Sequence, residues 1–207
     1  MKNDFNRVAK WYEAIANLVF GAKLIQAQKF NLDALQKGQK VLWVGGGDGE
    51  LLKHINAELN LEIDYVELSS QMIELASAKA NTLHVNFIQS DVLKHSGEYD
   101  VIISNFFLDC FTQEKLPHLI NHLASMLTSN GVLMVTDFAP PKSSKDRLLL
   151  WAMHKFFRLF SNLESRALQP IDKVIIENGF DRMEYQEKNN PRLFIALYRP
   201  NSPKPDM

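Results

Sequence analysis

Cysteine is nearly absent from this chain. Its 207 residues hold one, Cys110, which excludes an internal disulfide and any multi-cysteine zinc site. Net charge is nearly absent too: 23 Lys and Arg stand against 24 Asp and Glu, a formal −1 at pH 7. A protein that grips nucleic acid by bulk charge needs a basic excess, so no nucleic-acid partner is expected. No run approaches the roughly 18 apolar residues of a membrane span. The opening MKNDFNRVAKWYE has no apolar signal core, so a cytoplasmic protein is the expectation. Disorder is excluded as well, because 46% of the residues are apolar and 23% charged, ordinary values for a packed domain. The length suits one α/β domain rather than two.

What is present centres on Val41–Leu52, VLWVGGGDGELL. A short apolar run meets three glycines, and a helical pattern starts at Leu51 and Leu52. This predicts a buried parallel strand, a tight turn and a helix N-terminus. The turn uses Gly45, Gly46 and Gly47 because glycine tolerates positive φ and lets a ligand touch the backbone. Free N–H groups at a helix start would then face that ligand.

Strands and helices alternate along the rest of the chain. Residues 4–30 carry Phe5, Val8, Trp11, Tyr12 and Ile15 at helical spacing, an N-terminal amphipathic segment that Gly21 breaks. It reads as a lid over a ligand cleft, with Tyr12 turned inward, or as a packed surface helix. Strands are predicted at 40–44, 63–68, 85–88, 99–104 and 132–136. Helices are predicted at about 48–59, 71–80, 113–127, 143–163 and 170–178. Ser69 reads as an N-cap, and Ser129-Asn130-Gly131 as a turn. A final strand pair falls at 182–186 and 193–198.

Such alternation predicts a doubly wound sheet with helices on both faces, and ligands bind beyond the carboxyl ends of its strands. The residues there include Asp48, Glu67, Asp91, Asn105, Asp109 and Asp137. A carboxylate at Glu67 can accept both hydroxyls of a ribose. Asp91 can accept an exocyclic adenine amine, the base lying against Leu68, Met72 and Val92. Asn105 and the glycine-turn backbone can hold a ligand's amino-acid end. A dinucleotide fingerprint fails, because Glu50 stands where its third glycine belongs, and no Gly-Lys-Ser/Thr follows the turn.

VLWVGGGDG, VELSSQMIELA, FIQSDVLKHSGEYDVIISNFFLDCF and LTSNGVLMVTDF resemble, in order, the motifs of class I S-adenosylmethionine-dependent methyltransferases. The opening FNRVAKWYEAI is similar to their small-molecule, quinone-biosynthesis branch. The resemblance covers residues 5–138. It implies a Rossmann-like seven-stranded sheet, mostly parallel with an antiparallel last strand. It implies S-adenosylmethionine as cofactor and S-adenosylhomocysteine as product. Gly45 and Gly47 would border the methionine part, Glu67 would hold the ribose and Asp91 the adenine, with Asn105 beside the methionine part. One departure stands out: the family usually carries an acid at the position of Trp43. That acid helps orient the cofactor's amino group, and Asp48 or Tyr12 are its candidate substitutes. GGGDG followed by VEL also resembles the aminopropyltransferases. They carry an acid at the end of strand 4, where this chain has Asn105.

The expectation is one domain: a lid at 1–39, a cofactor core at 40–138, a substrate-side helical insert at 139–169, and a helix and strand pair at 170–199. Its activity would be in-line methyl transfer to a small, apolar or aromatic acceptor. The alternatives are an aminopropyltransferase-like enzyme and a noncatalytic nucleotide-binding module. Asp109 and Asp137 are the candidate bases, ahead of His118 and His122. The histidines share a helix face, but no acid–histidine cluster supports a metal. Cys110 reads as a packed thiol. Residues 142–166 interleave Leu, Trp and Phe with six Lys and Arg. They read as a pocket wall, a solvated helix, or a weak contact with an anionic membrane surface.

Overall fold

The computed structural model describes residues 23–144, 147, 170–189 and 192–201. Residues 1–22 of the expected lid, Tyr12 among them, and the stripe at 148–166 lie outside them, while residues 23–32 of that lid form a helix. Seven strands form one sheet: β1 (Lys40–Val44), β2 (Glu62–Glu67), β3 (His84–Gln89), β4 (Tyr99–Asn105), β5 (Leu127–Phe138), β6 (Phe180–Lys188) and β7 (Leu193–Pro200). Their order is β3-β2-β1-β4-β5-β7-β6. Strands β1 to β5 pair in parallel, while β7 runs antiparallel to both neighbours. This is the Rossmann-like methyltransferase topology, and the chain order reverses direction at β1. The crevice therefore opens where β1 and β4 part, which fixes the ligand end of the sheet.

The central strands are apolar on both faces, as strands covered by helices must be. In β1, Leu42 and Val44 face one core, with α3 (Leu116–Ser125) and α4 (Ile171–Glu177). Leu119, Ile120 and Leu123 of α3 are fully buried there, and each stabilises by about 1.5–3 kcal/mol. Val41 and Trp43 face the other core, with Leu32 of α1 (Lys23–Leu32) and Ala76 of α2 (Ser70–Ser77). Ser69 caps α2 as expected, its hydroxyl accepting the Met72 N–H.

Two local expectations need correction. The helix expected over Asp48–Leu59 is two short 3-10 turns, Glu50–His54 and Ala57–Leu59. Ile55 and Asn56 between them are extended, and the Asn56 side chain accepts the Glu58 N–H. An asparagine that bonds its own backbone competes with helix in this way. The expected α-helix N-terminus behind the glycine turn is therefore replaced by turn N–H groups. The second correction concerns β5, which begins at Leu127 rather than Val132. Tyr99 pairs with Leu127 but Val101 pairs with Val132, so Ser129-Asn130-Gly131 bulges out within the strand.

Candidate functional site

The glycine turn sits at the carboxyl end of β1. Gly45 has φ of 59°, and a Cβ there would collide with the Phe107 ring. At Gly46 a Cβ would collide with the Tyr65 ring. Two neighbours thus press on the first two glycines, while among the described residues no atom lies within 4 Å of where a Cβ at Gly47 would stand. The Tyr65 hydroxyl donates to the Gly47 carbonyl at 3.0 Å.

Glu67 ends β2 and is 6% exposed. One carboxylate oxygen accepts the Gly47 N–H at 3.3 Å, and the other accepts the Ser69 N–H at 2.9 Å. The carboxylate bridges the glycine turn and the start of α2. Asp48 turns elsewhere: it pairs with Lys79 at 2.8 Å, and Lys79 also meets Glu50 at 3.1 Å. Burial alone would lower the Lys79 pKa. The hydrogen bonds and charges of Asp48 and Glu50 outweigh it and hold the ammonium above its ordinary value. Asp48, a suggested substitute for an acid at position 43, is committed to this clamp.

Beyond β3, Asp91 caps a 3-10 turn, its carboxylate accepting the Leu93 N–H at 3.0 Å. Met72 and Val92 are almost fully buried and Leu68 is partly exposed. Leu68 is the residue of the three with surface to offer a flat ring.

Asn105 ends β4 and pairs in register with Thr136 of β5. It is 8% exposed, and both its amide oxygen and its amide nitrogen are buried without a hydrogen-bond partner among the described residues. Leaving such groups unpaired costs about 1–3 kcal/mol each, so the amide fits a polar ligand group. Asn31 of α1 donates to the Thr136 hydroxyl at 3.2 Å beside it. Phe106, which follows, has φ of 50°, a strained left-handed conformation for a bulky residue. It redirects the chain so that Phe107 reaches Gly45.

Asp109 and Asp137 come together. Asp137 is fully buried, and one of its oxygens accepts the Phe138 N–H at 2.8 Å. Its other oxygen accepts the Asp109 N–H at 3.4 Å. Burial, and then the Asp109 charge, push its pKa well up. Burial pushes the Asp109 carboxyl up to about 6, although the Cys110 thiol donates to it at 3.6 Å. Burial likewise raises Cys110, so that thiol stays protonated. His122 instead bonds the Val92 and His95 carbonyls, both at 3.0 Å, and His118 is exposed. Neither histidine lies with the carboxylate pair, so their candidacy as bases is not supported.

A family model described as a methyltransferase domain matches residues 18–171. The chain belongs to this family. A curated relative, malonyl-[acyl-carrier protein] O-methyltransferase of Priestia megaterium, is 30% identical over 141 residues. The match covers 67% of this chain and 51% of the relative, so the chain spans about half the relative's length. Among solved structures, magnesium protoporphyrin IX methyltransferase of Synechocystis, with bound S-adenosylhomocysteine, has a TM-score of 0.65 at 21% identity, covering 91% of this chain and 86% of that one. The [4+2]-cyclase SpnF has a TM-score of 0.67 at 13% identity, covering 86% and 81%. At such identities the likeness shows the fold, and SpnF warns that the fold alone does not name the reaction.

In this methyltransferase domain Gly45, Gly46, Gly47, Glu67, Leu68, Asp91 and Asn105 stand at or just after the carboxyl ends of β1 to β4, and Met72 and Val92 are buried. Sequence reasoning missed Tyr65, Phe107 and Lys79. The first two lie on ordinary core positions of the pattern. Lys79 left no local signal, because Glu50 already has a cation three residues on, Lys53, at 2.7 Å.

Proposed function

We propose that the chain transfers a methyl group from S-adenosylmethionine to a small-molecule acceptor. The supporting observation is the glycine turn at the end of β1, flanked at the ends of β2 and β4 by the Glu67 carboxylate, which accepts the Gly47 N–H, and by the buried Asn105 amide, which has no partner among the described residues. These residues fit the cofactor. Glu67 would hold the ribose hydroxyls, Asp91 the adenine amine, Leu68 the face of the base, and Asn105 the amino-acid end. The cofactor supplies a methyl carbon already activated on a positive sulfur. The protein's own work is alignment and exclusion of water.

Asp109 is our candidate proton acceptor. With its pKa near 6 it is mostly charged at pH 7.5, and Asp137 restrains it through the Asp109 N–H. Asp137 itself is held by backbone N–H groups and serves to position that loop. Phe106, Phe138, Leu193 and Ile195 pack with α1 beyond β5. This apolar corner favours an apolar or aromatic acceptor over a sugar or a nucleic acid.

The test is a screen of phenols, quinols and fatty acids with the purified protein, S-adenosylmethionine and detection of S-adenosylhomocysteine. Acceptor-dependent product that fails in Asp109→Asn supports the reading. Product that survives this change removes Asp109 from the chemistry.

A further inference from the structure

Trp43 presents a buried donor that the fold does not use. It is 1% exposed, and its indole N–H has no hydrogen-bond partner among the described residues. Proteins rarely bury a donor unpaired, since its lost hydration costs about 1–3 kcal/mol. An apolar side chain would have filled the core without that cost. The position is also close to the crevice. Trp43 pairs in register with Tyr65 and with Ile103, and its ring centroid lies 6.0 Å from that of Tyr65. Tyr65 in turn packs against Gly46 and bonds the Gly47 carbonyl. Asn105 lies two residues beyond Ile103, on the same face of the sheet and about 7 Å along the strand. The two side chains with orphaned polar atoms on this face are therefore neighbours at the ends of adjacent strands.

We propose that the Trp43 indole N–H donates a hydrogen bond to the carboxylate of the cofactor's amino-acid end, with Asn105 completing the contact. This rests on the cofactor reading above and goes beyond it. An amino-acid zwitterion needs donors for its carboxylate and an acceptor for its ammonium. Trp43 supplies a donor only, and Asn105 supplies one of each. The chain thus recognises the amino-acid end with neutral groups, and Trp43 sets the preference for ligands that keep their carboxylate.

The test uses proton–nitrogen NMR of the full chain, labelled on its three tryptophans. The Trp43 indole signal is assigned by its loss in Trp43→Phe. S-Adenosylhomocysteine and 5′-methylthioadenosine, which lacks the amino-acid end, are the probes, and calorimetry gives their affinities. The signal should move downfield with the first probe and stay in place with the second. In Trp43→Phe the first probe should bind about tenfold more weakly, or 1.4 kcal/mol, and the second within about twofold. Equal weakening of both would assign Trp43 to packing alone and overturn the proposal. So would tight binding of S-adenosylhomocysteine to the parent with no shift of the indole signal, which leaves the cofactor reading intact. Failure of both probes to bind the parent would overturn the two together.

Discussion

Replacing Asp109 with Asn should make the protein more stable above neutral pH and less active. The Asp109 carboxyl titrates near 6 in the folded chain against 3.8 for a free side chain, chiefly because it is buried. A folded-state pKa above the unfolded one means that the native state holds the extra proton. Stability from this group is thus full below about pH 4 and falls as the pH rises through 6. The difference amounts to about 3 kcal/mol at pH 8. Asn carries no charge, so the loss disappears, and Asp137 is relieved of a like charge. Urea unfolding at pH 4.5 and pH 8 measures this. We expect a gain of about 1–3 kcal/mol at pH 8, larger by about 2 kcal/mol than the change at pH 4.5. Equal destabilisation at both pH values would refute the claim that a charged, buried Asp109 strains the fold.

Other changes probe other parts of the site. Gly45→Ala would set a methyl group into the Phe107 ring at a φ that disfavours Ala. A lower melting temperature and lost cofactor binding should appear together. Glu67→Ala should weaken cofactor binding by about 2–4 kcal/mol if both ribose hydroxyls are held. Unchanged affinity by calorimetry would move the ribose elsewhere. Lys79→Ala leaves Asp48 without its cation and Glu50 with Lys53 alone. It should cost about 1 kcal/mol in urea unfolding, a loss that high salt reduces. Tyr65→Phe removes the bond to the Gly47 carbonyl and should cost about 1 kcal/mol. A neutral result would mean that the turn holds its shape without that bond.

Much of the sheet was legible because its strands are short apolar runs bounded by turns. Strand β1 matches its expected bounds, and β2, β3 and β4 differ by one or two residues. The antiparallel placement of β7 came from the family resemblance, since pairing direction leaves no mark on a single strand. The expected helix at 48–59 failed for a physical reason. Leu51 and Leu52 begin a helical pattern, but Asn56 bonds its own backbone and breaks it. Ligand-end acids were legible from their place after strands. The pairing of Asp109 with Asp137 was not, because it depends on Phe106 turning the chain at positive φ. Lys79 reaches the glycine turn from 31 residues away in sequence, a contact no local pattern encodes. The orphaned Trp43 and Asn105 atoms also needed coordinates, since a sequence shows a polar group but not whether it has a partner.

Calorimetric titration of the full chain with S-adenosylhomocysteine tests the central claim most directly. Decarboxylated S-adenosylmethionine and NAD serve as comparison ligands. The account predicts micromolar binding of S-adenosylhomocysteine and little of the other two. Preference for the decarboxylated compound, or no binding of S-adenosylhomocysteine at millimolar concentration, would contradict it.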